Sequence, residues 1–288
     1  MIIVTGANGQ LGRGVVEGLL GRVEPARIGA SVRDPSKAAD LAARGVTVRR
    51  GDFAEPSSLA GAFAGAETLL MVSSNAEAYG GKMIPQHEAA IAAAKDAGVK
   101  HVFYTSHMGA NARSHFPPTR NHAAVEELLV ASGLRFTALR HGFYAMTPLD
   151  LAKRALSSGS ILAPADGKVS WTAREDLAEA DAIVLARGDA APGATAAWTA
   201  GEALDLAEVA EMLSELTGRK VERVIVSDED FLAGLARNGV PAHLHDLIIG
   251  LWRAARNGEF SRVDPTLGTI LGRSPKTVRD QLAGLISS

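Results

Sequence analysis

The chain begins with Met1-Ile-Ile-Val-Thr-Gly-Ala-Asn-Gly-Gln-Leu-Gly12, an apolar run followed at once by three glycines. The missing Cβ at Gly6 allows a tight turn at the end of a strand. Gly9 lets backbone approach a pyrophosphate, and Gly12 lets the next helix pack closely against a sheet. The spacing G-x-x-G-x-x-G differs from the commonest dinucleotide fingerprint, but strand, glycines and helix follow in the order that such a site requires.

A helix predicted over 10–20 strengthens this interpretation. Its free N–H groups and the positive end of its dipole would point at the phosphates, so an anion fits there without a basic side chain. The segment therefore predicts a nucleotide-binding turn, and the alternative is a strand-to-helix turn without a ligand. The contacts expected from this turn come from Gly6, Asn8, Gly9, Gln10, Leu11 and Gly12.

The composition is that of an ordinary globular protein, with 288 residues, 47% hydrophobic and 22% charged, and a formal net charge of −2. Because the charge is near zero and no basic block occurs, nucleic acid is not expected as a partner. No apolar run approaches the roughly 18 residues that a membrane span needs, so no membrane partner is expected. The absence of cysteine excludes disulfides and thiolate metal sites. No metal site is predicted, and a cytoplasmic location is expected.

Apolar strand-like runs alternate with helical runs through the first half of the chain. Strands are predicted over 2–5, 28–32, 46–50, 68–73, 101–105 and 136–140, and helices over 10–20, 36–44, 57–63, 85–97 and 121–131. This alternation implies right-handed crossovers and a parallel sheet covered on both faces. The predicted fold class is a doubly wound α/β Rossmann domain.

The alternation loosens after about residue 145. Extended pieces over 160–162, 196–199 and 221–226 are predicted among helices over 174–186, 206–216, 228–238 and 242–255. We expect residues 1–150 to form the nucleotide-binding Rossmann domain and residues 151–288 to form a smaller α+β substrate-side domain. One element of the second domain is a candidate to return to the Rossmann sheet.

The second predicted strand ends in Ser31-Val32-Arg33, where NAD-specific Rossmann proteins place an acidic residue on the ribose 2′-hydroxyl. An arginine at this position can pair bidentately with a 2′-phosphate, and Lys37 follows one turn into the next helix. NADP(H) is therefore favoured over NAD(H) as the cofactor. The alternative is that Arg33 belongs to a solvated helix start.

Polar and aromatic residues follow the other strands at the same edge of the sheet. Asp52 and Phe53 end the third strand, where a carboxylate can accept the adenine amino group and a ring can cover the base. Capping of a helix near Pro56 is an equally supported role for Asp52. Small polar groups after the fourth strand lie where a nicotinamide riboside would bind. The further cofactor contacts expected at this edge are Ser73, Ser74, Asn75, Thr105, Ser106, His141 and Gly142.

Six segments together resemble the NmrA-like atypical short-chain dehydrogenase/reductases. They are GANGQLG (6–12), VRDPSK (32–37), GDF (51–53), YTS (104–106), HAAVE (122–126) and LRHGFY (139–144). Within that family the chain is similar to the bacterial NADPH-dependent quinone oxidoreductases of the second type and to the triphenylmethane reductases. The resemblance implies an NADPH-binding Rossmann domain, a smaller C-terminal domain and a small quinone-like electron acceptor. The chain departs from the pattern at His141, where many relatives carry Asn.

The chain lacks the Y-x-x-x-K pair with which ordinary short-chain dehydrogenases protonate a ketone oxygen. Four residues after Tyr79, Tyr104 and Tyr144 stand Met83, Met108 and Pro148. Hydride arrival on a quinone leaves an oxyanion that is delocalised into an aromatic ring, and a cationic dye carbon needs no proton. The missing pair therefore agrees with a conjugated acceptor held beside the nicotinamide.

His122 and Tyr104 are the candidates for assisting catalysis. His122 is expected at the start of the helix over 121–131, where the helix dipole would disfavour a protonated imidazole. Donation of a hydrogen bond, donation of a proton, contact with the nicotinamide ribose and a plain helix-start role all stay open. Phe143 and Tyr144 offer flat walls for an aromatic acceptor, and packing in the core between the two domains is the alternative.

These observations predict an NADPH-dependent oxidoreductase that transfers hydride to a quinone or a similar conjugated acceptor. One alternative is an NmrA-type redox sensor, which binds NADP(H) without turning it over and regulates a partner. Another is reduction of an alkene or imine in a biosynthetic pathway, which uses the same hydride geometry. Arg33 and the apolar wall of Phe143 and Tyr144 favour catalysis. An oligomer is compatible with the sequence.

Overall fold

Strands and helices alternate through the first half of the chain. In this computed structural model, which describes residues 1–188 and 190–287, they are β1 (Ile2–Thr5), α1 (Gln10–Leu20), β2 (Ile28–Val32), α2 (Ala39–Ala43), β3 (Thr47–Arg50), α3 (Leu59–Phe63), β4 (Thr68–Met71), α4 (Met83–Asp96), β5 (His101–His107), α5 (Pro117–Ser132) and β6 (Phe136–His141). All residues of β1 and β2 are buried. Short apolar strands of this kind are typical of a parallel sheet that is covered on both faces.

The large sheet has the strand order of a doubly wound fold. Within the described residues the order is β10-β6-β5-β4-β1-β2-β3, where β10 is Gly193–Ala194, and every neighbouring pair is parallel. The chain runs outward from β1 to β3 and then, on the other side of β1, from β4 to β6. Open α/β sheets bind ligands at the carboxyl ends of the strands where the order reverses in this way. The predicted fold class is confirmed.

Helices cover both faces of this sheet. On one face α3, α4 and α5 bury Phe63, Ile91 and Leu129 against the strands. On the other face α1 lies against α7 (Arg174–Arg187). A Cβ on Gly14 would lie 2.9 Å from the Ala178 Cβ, so the two helices approach each other more closely than larger side chains would allow.

The later part of the chain forms two small parallel sheets among helices. Its elements are β7 (Phe143–Tyr144), α6 (Met146–Ser158), β8 (Ser160–Pro164), β9 (Trp171–Thr172), α8 (Leu206–Thr217), β11 (Glu222–Val226), α9 (Asp228–Arg237), α10 (His245–Arg256), α11 (Thr266–Leu271) and α12 (Val278–Ser287). In the described residues β11 pairs with β8 and β7 pairs with β9. No helix in this or any other described part of the chain is long and apolar enough to cross a membrane.

Two compact units divide the chain, and neither is a single segment. The first comprises Met1–His107, Asn121–His141 and Leu177–Ala196, and the second comprises Met108–Arg120, Gly142–Asp176 and the residues from Ala197 on. The sequence predicted a single domain boundary at residue 150. The two compact units do not follow this boundary, because most of α7 and the strand β10 belong to the unit of the large sheet. The loop before α5 belongs to the second unit.

Several elements differ from the sequence prediction. The extended piece predicted over 196–199 is replaced by β10 at Gly193–Ala194. The helices α6, α11 and α12 were not predicted. Pro148, which is typical of a loop, lies in the first turn of α6, where a missing N–H leaves no helical hydrogen bond unmade.

Candidate cofactor and catalytic site

The turn after β1 has a backbone geometry that needs glycine. Gly6 has a φ of +60°, in the left-handed region that L side chains rarely adopt. A Cβ on Gly12 would lie 2.5 Å from the Gly6 carbonyl oxygen and 3.0 Å from that of Thr5. The Gly9 N–H donates to the Gly6 carbonyl at 2.8 Å and closes the turn. The close packing of α1 on β1 therefore depends on glycine at both positions.

The start of α1 is suited to an anion. Gly9 is its N-cap residue, no side chain caps it, and its first turn carries no acidic residue. The first N–H groups of a helix have no partners within the helix, and the dipole adds partial positive charge there. The Asn8 side chain donates to the Asp34 carbonyl at 2.9 Å and ties the glycine turn to the loop after β2. Among the predicted contacts Gly6, Asn8, Gly9 and Gln10 are exposed, while Leu11 and Gly12 are buried.

Arg33 lies at the carboxyl end of β2 with an exposed side chain. Within residues 1–188 and 190–287 its guanidinium forms no ion pair or hydrogen bond. The neighbouring Asp34 carboxylate is engaged instead by the Ser36 N–H at 3.1 Å, and Lys37 Nζ is 4.0 Å from it. The Arg33 guanidinium is therefore available for a phosphate from outside the chain.

Asp52 and Phe53 lie in the loop after β3. Asp52 Oδ1 accepts from the Ala54 N–H at 2.9 Å, so the carboxylate stabilises a local turn. It does not cap the short helix at Pro56, whose N-cap residue is Glu55. The Phe53 ring packs edge-on against His87, with 5.6 Å between the ring centroids. The adenine contacts predicted for Asp52 and Phe53 stay predictions.

Small polar residues meet at the carboxyl ends of β4 and β5. The Ser73 N–H donates to Thr105 Oγ1 at 2.8 Å, and the Thr105 hydroxyl lies 3.3 Å from Ser73 Oγ. Ser74 Oγ donates to Gln86 Oε1 at 2.5 Å, and Asn75 is exposed. The structure thus brings Ser73 and Thr105 together at the edge predicted for the nicotinamide riboside.

Ser106 belongs to a polar cluster with Glu126 and Arg140. Its hydroxyl donates to Glu126 Oε1 at 2.6 Å. Arg140 donates to both oxygens of the same carboxylate, from Nε at 3.0 Å and from Nη2 at 2.6 Å. The Ser106 hydroxyl is therefore engaged by the chain itself, and its predicted contact with a cofactor stays a prediction.

Tyr104 and His122 form a hydrogen-bonded pair, with 2.7 Å between the tyrosine oxygen and His122 Nδ1. His122 lies in the second turn of α5, because that helix begins at Pro117. The prediction that His122 starts the helix is therefore wrong. Proline fits the first helical turn, where its missing N–H leaves no helical bond unmade, and this is why the helix extends further back than its apolar pattern indicates.

Tyr104, His122 and the neighbouring His107 are neutral near pH 7. Burial raises the pKa of Tyr104 well above its ordinary value, and the charges of Glu126 and Glu77 act in the same direction. Burial lowers the pKa of His122 well below its ordinary value, and the neighbouring imidazoles act in the same direction. Burial and the proximity of His141 lower the pKa of His107 to about 3. Desolvation is thus the largest cause that keeps His122 uncharged.

His141 lies inside the first unit and is almost completely buried, as is Asp181 on α7. His141 Nε2 and Asp181 Oδ1 are 2.9 Å apart. Burial raises the pKa of Asp181, although His141 opposes this shift. This pairing links β6 to α7, and the cofactor contact predicted for His141 stays a prediction.

Gly142, Phe143 and Tyr144 lie in the second unit. The Gly142 N–H donates to the Trp198 carbonyl at 2.8 Å, and a Cβ on Gly142 would lie 2.8 Å from that oxygen, so the close approach is to the chain itself. The Arg174 guanidinium lies 4.9 Å from the centroid of the Tyr144 ring. Phe143 packs in an aromatic core, with centroid distances of 5.5, 5.4 and 5.1 Å to Phe116, Trp171 and Phe260. Core packing within the second unit therefore describes Phe143, and the wall for an acceptor stays a prediction.

Sequence reasoning missed three members of these clusters as site residues, namely Glu126, His107 and Asp181. A signal existed for Glu126, because it lies four residues after His122 and so on the same face of α5. His107 follows Thr105 by two residues and points to the same side of the sheet. Asp181 carries no local signal, since its partner His141 is 40 residues away.

The fold and the site can be compared with those of known proteins. The NmrA-like family model matches residues 1–271. The chain belongs to the NmrA-like family. It is 35% identical over 288 residues to quinone oxidoreductase 2 of Escherichia coli, covering 100% of this chain and 99% of that protein. It is 31% identical over 281 residues to an NAD(P)H azoreductase of Xenophilus azovorans, covering 96% of this chain and 95% of that protein.

Two solved structures share the whole fold of this NmrA-like chain. An NADPH-dependent quinone oxidoreductase from Escherichia coli in complex with NADPH matches with a TM-score of 0.91 and 35% identity, covering 99% of this chain and 100% of that one. The Citrobacter triphenylmethane reductase in complex with NADP(H) matches with a TM-score of 0.86 and 33% identity, over the same shares of the two chains. The predicted resemblance is confirmed at the level of both sequence and fold.

Proposed function

We propose that the chain is an NADPH-dependent oxidoreductase that transfers a hydride to a quinone or a similar conjugated acceptor. The observation that carries the proposal is the glycine turn at Gly6 and Gly12 beside the exposed Arg33, which has no ion-pair partner among the described residues, at the end of the neighbouring strand. The hydrogen bond from Asn8 to the Asp34 carbonyl holds the turn and the arginine loop together. Similarity over the full length to quinone, azo and triphenylmethane reductases supports catalysis rather than binding alone.

The residues at the sheet edge fit NADPH at several points. The uncapped start of α1 would hold the pyrophosphate. Arg33 would hold the 2′-phosphate bidentately, and Lys37 would add a second positive charge. Ser73 and Thr105 lie at the ends of β4 and β5, where the nicotinamide riboside of such a cofactor would bind. When bound, NADPH supplies the hydride.

A conjugated acceptor is supported by the lack of the tyrosine–lysine pair that protonates a ketone oxygen in ordinary short-chain dehydrogenases. Four residues after Tyr104 stands Met108 in place of the lysine of ordinary short-chain dehydrogenases. Burial and nearby carboxylates raise the pKa of Tyr104, so this hydroxyl is a poor acid. An isolated ketone would become a localised alkoxide, which needs a strong acid beside it. A quinone oxygen shares its negative charge with a ring, so binding and orientation by the chain supply most of what the reaction needs.

The test is NADPH oxidation by the purified protein with a panel of acceptors. The panel contains a benzoquinone, a naphthoquinone, a cationic triphenylmethane dye, an azo compound and a simple aliphatic ketone. We expect turnover with the quinones and none with the ketone. Tight binding of NADPH without turnover of any acceptor would overturn the proposal and would favour a sensor.

A further inference from the structure

The hydrogen bond between the Tyr104 and His122 side chains can have only one direction. The Tyr104 side chain is completely buried, and its oxygen lies 2.7 Å from His122 Nδ1. Among the described residues no other group hydrogen bonds to this hydroxyl. The hydroxyl hydrogen therefore has Nδ1 as its acceptor in the protein, so Tyr104 donates and His122 accepts.

This direction fixes the tautomer of His122. A neutral imidazole carries one hydrogen, and a ring that accepts at Nδ1 carries that hydrogen on Nε2. The opposite tautomer would place two donors against each other or leave the buried tyrosine hydrogen unpaired. An unpaired buried donor disfavours that arrangement by about tenfold or more. The pair therefore holds His122 as an Nε2–H donor.

The surroundings of His122 oppose a second proton on the ring. The groups that face it are His87 from α4, His107 from β5 and His141 from β6, together with the carboxylates Glu126 and Glu77 that act on Tyr104. Burial is the largest cause of the low pKa of His122, and the three imidazoles add to it. The ring therefore offers a neutral N–H over the whole range near pH 7.

His122 lies beside the ligand edge of the large sheet. Its ring is 5.7 Å from that of Tyr104 and 5.9 Å from that of His107, the last residue of β5. Its side chain is partly exposed, whereas that of Tyr104 is not. A small molecule at the carboxyl ends of the strands can therefore meet His122 but not the tyrosine behind it.

We propose that His122 Nε2–H donates a hydrogen bond to the acceptor oxygen that becomes negative during hydride transfer, and that Tyr104 is the positioning residue that fixes this donor. The inference rests on the quinone reductase function proposed above. The C4–H bond of the reduced nicotinamide breaks, and the hydride with its electron pair forms an O–H bond at one quinone oxygen. The nicotinamide is oxidised, and the quinone becomes a hydroquinone monoanion whose second oxygen carries the charge. His122 keeps its proton throughout, and the monoanion takes a proton from water afterwards. The imidazole thus stabilises charge as an oxyanion donor does.

Two variants of His122 separate a hydrogen-bond donor from an acid. His122→Leu removes the N–H, and we expect kcat for a quinone to fall about tenfold or more relative to kcat for a cationic triphenylmethane dye, since no oxygen gains charge in the dye. His122→Gln supplies a neutral N–H that cannot act as an acid, so we expect it to restore most of the lost quinone rate. Equal losses in both variants would overturn the donor role.

The tautomer itself is measured by 15N NMR of histidine-labelled protein. We expect the His122 signals of an unprotonated Nδ1 and a protonated Nε2, and a mixture of tautomers in Tyr104→Phe with a lower kcat and an unchanged KM. The quinone rate of the wild-type protein is expected to stay flat from about pH 5.5 to 8, because a neutral His122 does not titrate there. A protonated Nδ1 would overturn the inference. So would a quinone rate that changes with pH between about 5.5 and 8 in the wild-type protein but not in His122→Gln.

Failure of the His122 donor role can be distinguished from failure of the proposed quinone reductase function. If the wild-type protein reduces no quinone, the quinone reductase proposal fails, while the NMR measurement still decides the state of the Tyr104–His122 pair. If the wild-type protein reduces quinones but His122→Leu does so equally well, only the present inference fails.

Discussion

Replacement of Arg33 by alanine is expected to weaken NADPH much more than NADH. The guanidinium is exposed and forms no ion pair within the described residues, so its removal breaks no contact that stabilises the fold. A bidentate contact with the 2′-phosphate contributes about 1.5–3 kcal/mol through its charged hydrogen bonds. Since about 1.4 kcal/mol corresponds to a factor of ten, the Kd for NADPH is expected to rise about 10- to 100-fold. NADH has no 2′-phosphate, and its Kd is expected to change by less than about twofold.

Arg27 provides a matched control for Arg33→Ala. It is an exposed arginine that precedes β2, so Arg27→Ala changes the net charge equally at the opposite end of the same strand, about 20 Å away. Binding is measured by titration calorimetry for both cofactors, and the unfolding midpoint in urea is measured for each variant. Equal losses for NADPH and NADH in Arg33→Ala, or equal effects of Arg27→Ala and Arg33→Ala on NADPH, would refute the assignment of the 2′-phosphate to Arg33.

Three further substitutions test the geometry of the first unit. Gly12→Ala is expected to lower the free energy of unfolding by about 1–3 kcal/mol and to weaken NADPH, because the new Cβ would meet the backbone oxygen of Gly6 at 2.5 Å. Burial lowers the pKa of His87 from 6.5 to about 4. Between these pH values His87 stays neutral in the folded chain but binds a proton in the unfolded chain. The free energy of unfolding therefore falls as the pH drops through this range. The wild-type protein loses stability between pH 8 and pH 5. In His87→Leu, which has no imidazole at this site, this loss is expected to be smaller by about 2 kcal/mol. Asp181→Ala is expected to lower the free energy of unfolding by about 3 kcal/mol, because it removes one member of the buried His141–Asp181 pair.

Urea unfolding of Gly12→Ala is compared with that of Gly61→Ala, whose added Cβ meets nothing within 4 Å, and similar effects would contradict the packing argument. For His87→Leu, the free energy of unfolding is measured at pH 8 and at pH 5. If the difference between the two values equals that of the wild-type protein, another group binds the proton. Asp181→Ala is compared with Glu179→Ala, which removes a partly exposed carboxylate of the same helix and is expected to cost less than about 1 kcal/mol. Equal costs would contradict the role of the buried pair.

The large sheet could be predicted because its signals are local. β1, α1 and β2 have the predicted bounds, since a short buried strand, a glycine turn and an amphipathic helix each reveal themselves within a few residues. The three glycines also predicted the close approach of α1 to β1. Arg33 could be singled out because its position relative to this turn is fixed by the topology of the fold.

The side-chain pairs of the site could not be predicted in the same way. Tyr104 and His122 are 18 residues apart, and His141 and Asp181 are 40 residues apart, so each pair depends on packing of elements that no local pattern relates. The start of α5 was misplaced because Pro117 and Pro118 indicate a loop in sequence but fit the first turn of a helix. Gly142 was expected to let a cofactor approach, yet its space is filled by the chain itself.

We expect bound NADPH to give its hydride directly to a quinone on this protein. The most direct measurement uses NADPH that carries deuterium on one or the other face of C4, with mass spectrometry of the NADP formed after quinone reduction. Transfer within an ordered site predicts complete loss of deuterium from one of the two labelled cofactors and complete retention in the other. Partial loss from both, or the absence of NADP formation while NADPH stays bound, would contradict direct hydride transfer.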